Sequence, residues 1–311
     1  MLKSSSCGLR EFFANFAKLL KFFDMKKNVP PFRFKKFECS HSRSCMKIGI
    51  DAVLLGAWIN VEGVHSVLEV GCGCGVISMQ LAERLSDSTD DFHIVAIDID
   101  QPSIEEASGN FSRCPWRANL KAIHIDFLKM AALDLCKESL EPDKDEPGKD
   151  EKSYDLIVSN PPYFESGITN PDTARLLARH QSDLSPISLI RHAADMQKES
   201  GRVALVLPIE QSESTIEAAA EAGYHPIRRT DFRGHPHAPW KRSLLEFAKQ
   251  SAPSIGNNPI PKKEDNALSC EAENLKDNGL ACKAQNLTLE AEPGIPSEEH
   301  LRLCRRFYLK W

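Results

Sequence analysis

The sequence predicts an α/β fold: a seven-stranded, mostly parallel sheet with an antiparallel last strand, wrapped by helices. Three observations carry this. Apolar runs alternate with helical patterns from residue 66 to about residue 207, the form taken by strands joined through crossover helices. Glycines at 71, 73 and 75 follow the first run at once and lead into a helical pattern, as in a strand-loop-helix unit whose backbone must approach a ligand closely. The last two apolar runs are joined only by a short loop containing Gly234, Pro236 and Pro239, which leaves no room for a crossover and makes them antiparallel.

Each element follows from its residues. Residues 66–70 read as the first strand, and 76–85 as a helix whose Val76, Ile77, Met79, Leu81, Ala82 and Leu85 form an apolar face. Residues 93–97 are the second strand, and 102–113 a helix opened by Pro102 in its first turn. Strands follow at 120–125, 155–159 and 202–207, then a helix at 210–222 closed by Gly223. Residues 225–230 and 243–247 are the final strand pair.

Around this core the composition shifts. Residues 1–24 read as an extension, artefactual or disordered, ahead of an ordinary start at Met25, and residues 25–60 as a basic aromatic segment that binds substrate. The catalytic domain spans residues 61–250. Within it, residues 137–152 carry Pro142, Pro147, Gly148 and many charges with only Leu140 to bury, which predicts a solvated insertion. Residues 251–311 are a polar linker and a tail that regains strand character at 287–290 and 306–311 and is expected to dock back.

A chain of 311 residues with 41% hydrophobic content suffices for one sizeable core. No stretch reaches the ~20 uncharged residues of a membrane span. The nearest, residues 9–23, is broken by Arg10, Glu11, Lys18 and Lys21, and no cleavage site follows. Ten cysteines without a secretory signal predict reduced thiols in a cytoplasmic protein. Cys72 and Cys74 lack the partner spacing of a metal site and are read as small apolar filler, so no metal is expected.

The net charge of −5 conceals an uneven distribution. Between residues 25 and 47, Lys26, Lys27, Arg33, Lys35, Lys36, Arg43 and Lys47 face only Glu38; later, Arg228, Arg229, Arg233, Lys241 and Arg242 face only Asp231. Either cluster alone reads as a solvated face, but two of them flanking a catalytic domain predict a polyanionic substrate.

The chemistry is carried by Asn160-Pro161-Pro162-Tyr163, directly after the apolar run 154–158. An amide oxygen and a carbonyl held by two prolines can accept both hydrogens of a planar exocyclic amine while Tyr163 stacks on the attached ring. Alone, Asn-Pro-Pro after a strand is an ordinary turn. With the glycine loop and Asp98 upstream, it points to methyl transfer to nitrogen from S-adenosylmethionine (SAM). Val76 stands where a dinucleotide site would have a further glycine, so NAD fits less well. Gly71, Gly73 and Gly75 form the cofactor loop. Glu69 is expected to attract the methionine ammonium, Asp98 to accept from the ribose hydroxyls, and Asp126, with Phe127 beside it, to meet the adenine. The structural alternative is that such acids merely cap the next helices.

The segment Phe32-Arg33-Phe34-Lys35-Lys36-Phe37, followed by His41, Arg43, Met46-Lys47-Ile48-Gly49, Asp51 and Leu54-Leu55-Gly56-Ala57-Trp58, resembles the bacterial tRNA1(Val) adenine-N6 methyltransferases. The likeness extends through Arg229-Thr230-Asp231 and Pro239 to Phe247 and resumes at Phe307-Tyr308-Leu309-Lys310; residues 137–152 and those before Met25 depart from it. It implies a Rossmann-like class I methyltransferase fold, SAM as cofactor, and transfer to N6 of the adenosine beside the anticodon, position 37, of a valine tRNA. The expected contacts to that RNA are Lys35, Lys36, Arg43, Lys47, Arg229 and Arg242, and a monomer is expected. No strong base is required before transfer, so the ten histidines need no catalytic role.

Three rivals are weighed. An enzyme methylating the glutamine amide of release factors would carry a helical domain before the glycine loop, where this chain has a short basic segment. A DNA adenine methyltransferase would add a target-recognition domain. A binding module with a vestigial SAM fold would not need Glu69, Asp98 and Asn160 intact.

Overall fold

The structure, a computed structural model, describes residues 29–44, 46–129, 154–161, 184–249, 275–277 and 280–309. The extension 1–24, the insertion 137–152 and residues 251–274 lie outside the described residues.

The basic aromatic segment opens with a tight hairpin, β1 (Phe32–Arg33) and β2 (Glu38–Cys39), paired antiparallel. Helix α1 (Ile50–Trp58) follows, and all its residues from Ala52 to Trp58 are buried. Sequence periodicity missed it for that reason: a helix covered on nearly every side shows no polar face to set the 3.6-residue rhythm.

The alternating region folds as expected into β3 (Ser66–Val70), α2 (Val76–Leu85), β4 (His93–Asp98), α3 (Gln101–Arg113), β5 (Leu120–His124) and β6 (Tyr154–Ser159). An unforeseen helix, α4 (Pro186–Met196), starts at a capping box of Ser185 and Ser188. Strand β7 (Gln197–Pro208) begins five residues before the expected run at Arg202, with a register shift against β6. Then come α5 (Ser212–Glu221), β8 (Tyr224–Arg233) and β9 (Arg242–Lys249).

The parallel strands lie in the order β5-β4-β3-β6-β7, after which β9 inserts antiparallel between β7 and β8. This is the predicted seven-stranded sheet, and the tail widens it. Strand β11 (Leu280–Thr288) pairs parallel with β8 at Lys283 to Arg228, and β10 (Leu275–Asp277) pairs with β11, so the sheet has nine strands among the described residues. A small hairpin, β12 (Glu290–Glu292) with β13 (Ile295–Pro296), and helix α6 (Glu298–Cys304) then carry the chain back to the start, where Lys35 N–H donates to Phe307 O at 2.9 Å.

All five residues of β3 are buried, because both faces of the sheet are covered. Val67 joins a core with α1, α2, α3 and the hairpin aromatics; Leu68 and Val70 point the other way, into a core with Phe127 and the α4 residues Leu189, Ile190 and Ala193. Among the described residues no helix is long and apolar enough to cross a membrane.

Candidate active site

Strand order reverses between β3 and β6. The chain leaves β3 towards β4 on one side and leaves β6 towards β7 on the other, opening a crevice at their carboxyl ends, the place where open parallel sheets bind ligands. Val70 and Ser159 are register partners there, and Ser159 Oγ donates to Val70 O at 2.7 Å. The glycine loop and Asn160 therefore emerge side by side.

The loop is a set of tight backbone turns. Gly71, Gly73 and Gly75 have φ of 70°, 53° and 78°. Gly71 and Cys72 N–H both donate to Ile97 O at 2.9 Å. A Cβ added to Gly73 would meet nothing within 4 Å, which leaves a bare cradle above the loop, whereas one on Gly75 would lie 2.5 Å from Phe111 Cε1. The first position keeps space open for a ligand; the second lets α3 press against the loop.

Three acids stand at successive strand ends. Glu69 is 1% exposed and accepts from the backbone N–H of Ser78 at 2.9 Å and from its hydroxyl, which caps α2. Burial raises its carboxyl to about 8; the Ser78 hydrogen bonds oppose this and the charge of Asp98 adds to it. A buried acid so placed is completed by a cation such as an ammonium. Asp98 Oδ2 accepts from Gly73 N–H at 2.8 Å and Oδ1 from Asp100 N–H at 2.9 Å, so the residue expected at the ribose also fixes the glycine loop. Asp126 accepts from Leu128 N–H at 3.1 Å and pairs with Lys129 at 2.8 Å, while Phe127 is buried with its ring edge-on to His192 at 4.9 Å. The Phe127 side chain is thus part of the core. Ile99, between Asp98 and Asp100 at the carboxyl end of β4, is 45% exposed.

Asn160 Oδ1 is buried without a hydrogen-bond partner among the described residues. Leaving a buried acceptor unmatched costs about 1–3 kcal/mol, so this oxygen is held ready for a donor. Pro161 is buried beside it; Pro162 and Tyr163 lie outside the described residues.

The six basic candidates are not equivalent. Lys47 Nζ donates to His41 O at 2.7 Å and Ser42 O at 3.1 Å, and Arg43 pairs with Glu105, an exposed contact that places both cations along α3. Lys35 Nζ donates to Arg305 O at 2.6 Å and Lys36 lies 3.6 Å from Glu83 in the last turn of α2, the end of that helix remote from the glycine loop. In the second cluster, Arg228, Arg229 and Arg242 are paired with acids. Arg229, 12% exposed at its side chain, is held by Asp231 at 2.9 Å and Glu213 at 2.7 Å; Arg242, equally covered, is held by Asp51 at 3.2 Å. Reading Asp231 as the sole counter-charge is corrected: the missing acids come from α1, α5 and β9, where Glu246 pairs with Arg228 at 2.8 Å. Arg229 and Arg242 are thus held in ion pairs within the fold.

The bare glycine cradle and the strand-end acids fit SAM, which Glu69, Asp98 and the loop would hold. Known proteins agree with this geometry. A profile described as a methyltransferase domain matches residues 67–186. A crystal structure of a predicted O-methyltransferase from Agrobacterium tumefaciens superposes with a TM-score of 0.53 over 83% of this chain and 96% of that one, at 14% identity, and so shares the fold. A tRNA1(Val) (adenine(37)-N6)-methyltransferase of Parabacteroides distasonis is 35% identical over 281 residues, 90% of this chain and 98% of the relative. Relatives of the same name are 32% identical in Trichodesmium erythraeum, over 90% of this chain and 98% of theirs, and in Edwardsiella ictaluri, over 78% and 91%. With 35% identity sustained over nine-tenths of its length, the chain belongs to the tRNA1(Val) (adenine(37)-N6)-methyltransferase family.

Proposed function

We propose that this enzyme transfers the methyl group of SAM to N6 of adenosine 37 of a valine tRNA, the substrate named for its relatives. The observation that carries the reading is the buried, unmatched Asn160 Oδ1 beside the glycine loop. A primary aromatic amine offers two N–H donors, and the Asn160 oxygen with the Pro161 carbonyl supplies two acceptors. Accepting both hydrogens fixes the plane of the amine and turns the nitrogen lone pair, perpendicular to that plane, towards the methyl carbon. SAM supplies an electrophilic methyl carbon on sulfonium. The amine nitrogen would bond to the methyl carbon as the carbon–sulfur bond breaks, its electron pair staying on sulfur, and the surplus N6 proton would then pass to solvent. No group of unusual basicity is needed.

An anticodon-loop base is already partly unstacked, so presenting it costs at most a few kcal/mol, and Tyr163 would return about 1–3 kcal/mol by stacking. Residues 25–60 act as the substrate-binding segment on a catalytic domain of residues 61–250, with Arg43 and Lys47 at its phosphate contacts. The enzyme works as a cytoplasmic monomer without a metal. Incubation with methyl-labelled SAM and total tRNA, DNA or release factor tests the reading. Label in tRNA, recovered as N6-methyladenosine, is expected; label in release factor or DNA alone overturns it.

A further inference from the structure

Helix α3 carries a polar stripe turned towards the molecule rather than to water. Glu106 and Asn110, four residues apart and therefore on one helix face, are both buried. Neither belongs to the cofactor acids described above.

Glu106 gathers three consecutive backbone amides. Ser42 N–H donates at 2.7 Å, Arg43 N–H at 3.0 Å to both oxygens, and Ser44 N–H at 2.7 Å, while the Ser42 hydroxyl adds a contact at 3.2 Å. Burial pushes this carboxyl up, but the amides outweigh burial and hold it below its ordinary range. Asn110, 0% exposed, works one turn further along. Its Oδ1 accepts from Ser40 N–H at 2.9 Å and from Arg113, and its Nδ2 donates at 2.8 Å to Ser40 O and at 2.8 Å to Cys74 O. One amide therefore grips the basic segment and the glycine loop together. The same helix is capped by Asp100, whose N–H binds Asp98, and its Phe111 ring lies against Gly75.

We infer that Glu106 and Asn110 are positioning residues that couple the cofactor loop to the RNA-binding segment 40–47, so that filling the cofactor site orders Arg43 and Lys47 for the tRNA. This deepens the proposed function and rests on it. The physical cause is the shared helix face: a ligand that steadies residues 71–75 steadies Cys74 O, hence Asn110, Ser40 and the amides held by Glu106. Such reciprocity requires that each ligand tighten the other by the same factor.

The test begins with amide hydrogen exchange of the intact chain, with and without S-adenosylhomocysteine. Slowed exchange at residues 71–75 and also at 40–44 is expected. Protection confined to 71–75 overturns the coupling and leaves the proposed function standing; no protection anywhere sinks the cofactor reading and this one with it. Asn110→Asp, which turns the Nδ2 donor into an acceptor facing two carbonyls, should abolish the effect at 40–44, and retained protection there contradicts the inference. Glu106→Gln, a milder variant should Asn110→Asp fail to fold, should raise the KM for tRNA about tenfold, the worth of a lost charge-assisted hydrogen bond, with kcat within twofold. A fall in kcat at unchanged KM speaks against a positioning role.

Discussion

Asp98 reaches from the end of β4 to hold the glycine loop that follows β3: its Oδ2 accepts from Gly73 N–H at 2.8 Å. The acid proposed to face the ribose is thus also the anchor of the glycine loop. Asp98→Asn keeps the size but replaces one acceptor by an amine turned on an N–H group. Affinity for S-adenosylhomocysteine should fall about 10- to 100-fold by calorimetry, with a loss of about 1–2 kcal/mol of stability. An unchanged affinity would exclude Asp98 from the cofactor site.

Gly73 and Gly75 should part company when each is changed to alanine. At Gly75, φ of 78° and the Phe111 ring at 2.5 Å add backbone strain to overpacking, for about 2–4 kcal/mol of destabilisation in a denaturant melt. Gly75→Ala with Phe111→Leu should recover part of that loss. At Gly73 an added methyl group meets only open space, so stability should drop by about 1–2 kcal/mol from φ alone while cofactor affinity suffers more. Equal effects at the two sites would contradict the division of labour.

Asn160→Ala removes the unmatched acceptor and should lower kcat about 100- to 1000-fold while S-adenosylhomocysteine binds as before. Parent-like turnover would refute the assigned role.

Among the cations, Lys47→Ala and Arg43→Ala should each lower the slope of log affinity for tRNA against log salt by ~0.7, one single-strand phosphate contact apiece. Arg242→Ala should leave that slope alone and cost up to about 3 kcal/mol of stability, because it breaks a partly buried ion pair with Asp51. A flattened slope for Arg242→Ala would restore it to the RNA surface.

The pH dependence of the ligand-free enzyme should carry the signature of Glu69. Its folded-state carboxyl is raised from 4.5 to about 8, so the folded chain holds a proton that the unfolded chain has released. That contribution is fully present below about 4.5 and is lost as pH rises towards 8. Glu69→Gln should remove this slope. Binding of an ammonium-bearing ligand should drive the proton off near pH 7, and calorimetry in buffers of different ionisation enthalpy would reveal its release. Zero released protons would place the ammonium elsewhere.

What could be read from the chain was local. The strand at 66–70, the three glycines, the acids at 69, 98 and 126 and the Asn-Pro-Pro turn are consecutive patterns, and parallel pairing brought β3 and β6 together as their order required. Helix α1 escaped because burial on almost every side erased its periodicity, and β11 because residues 280–288 show little hydrophobic alternation and gain their strand by pairing with β8. Charge was the least legible. Arg229 and Arg242 looked like free cations only because Glu213 and Asp51 are 16 and 191 residues away in sequence, and the clamp formed by Glu106 joins residues more than 60 apart.

By itself, then, the sequence determined the fold class and the places of the glycine loop and of Asn160 at strand ends, since each depends on residue type and spacing within a single turn or strand. Tertiary structure alone decided which cations are paired with acids and how residues 40–44 are fastened to α3, because neutralisation and anchoring are set by partners that only folding brings within hydrogen-bonding distance.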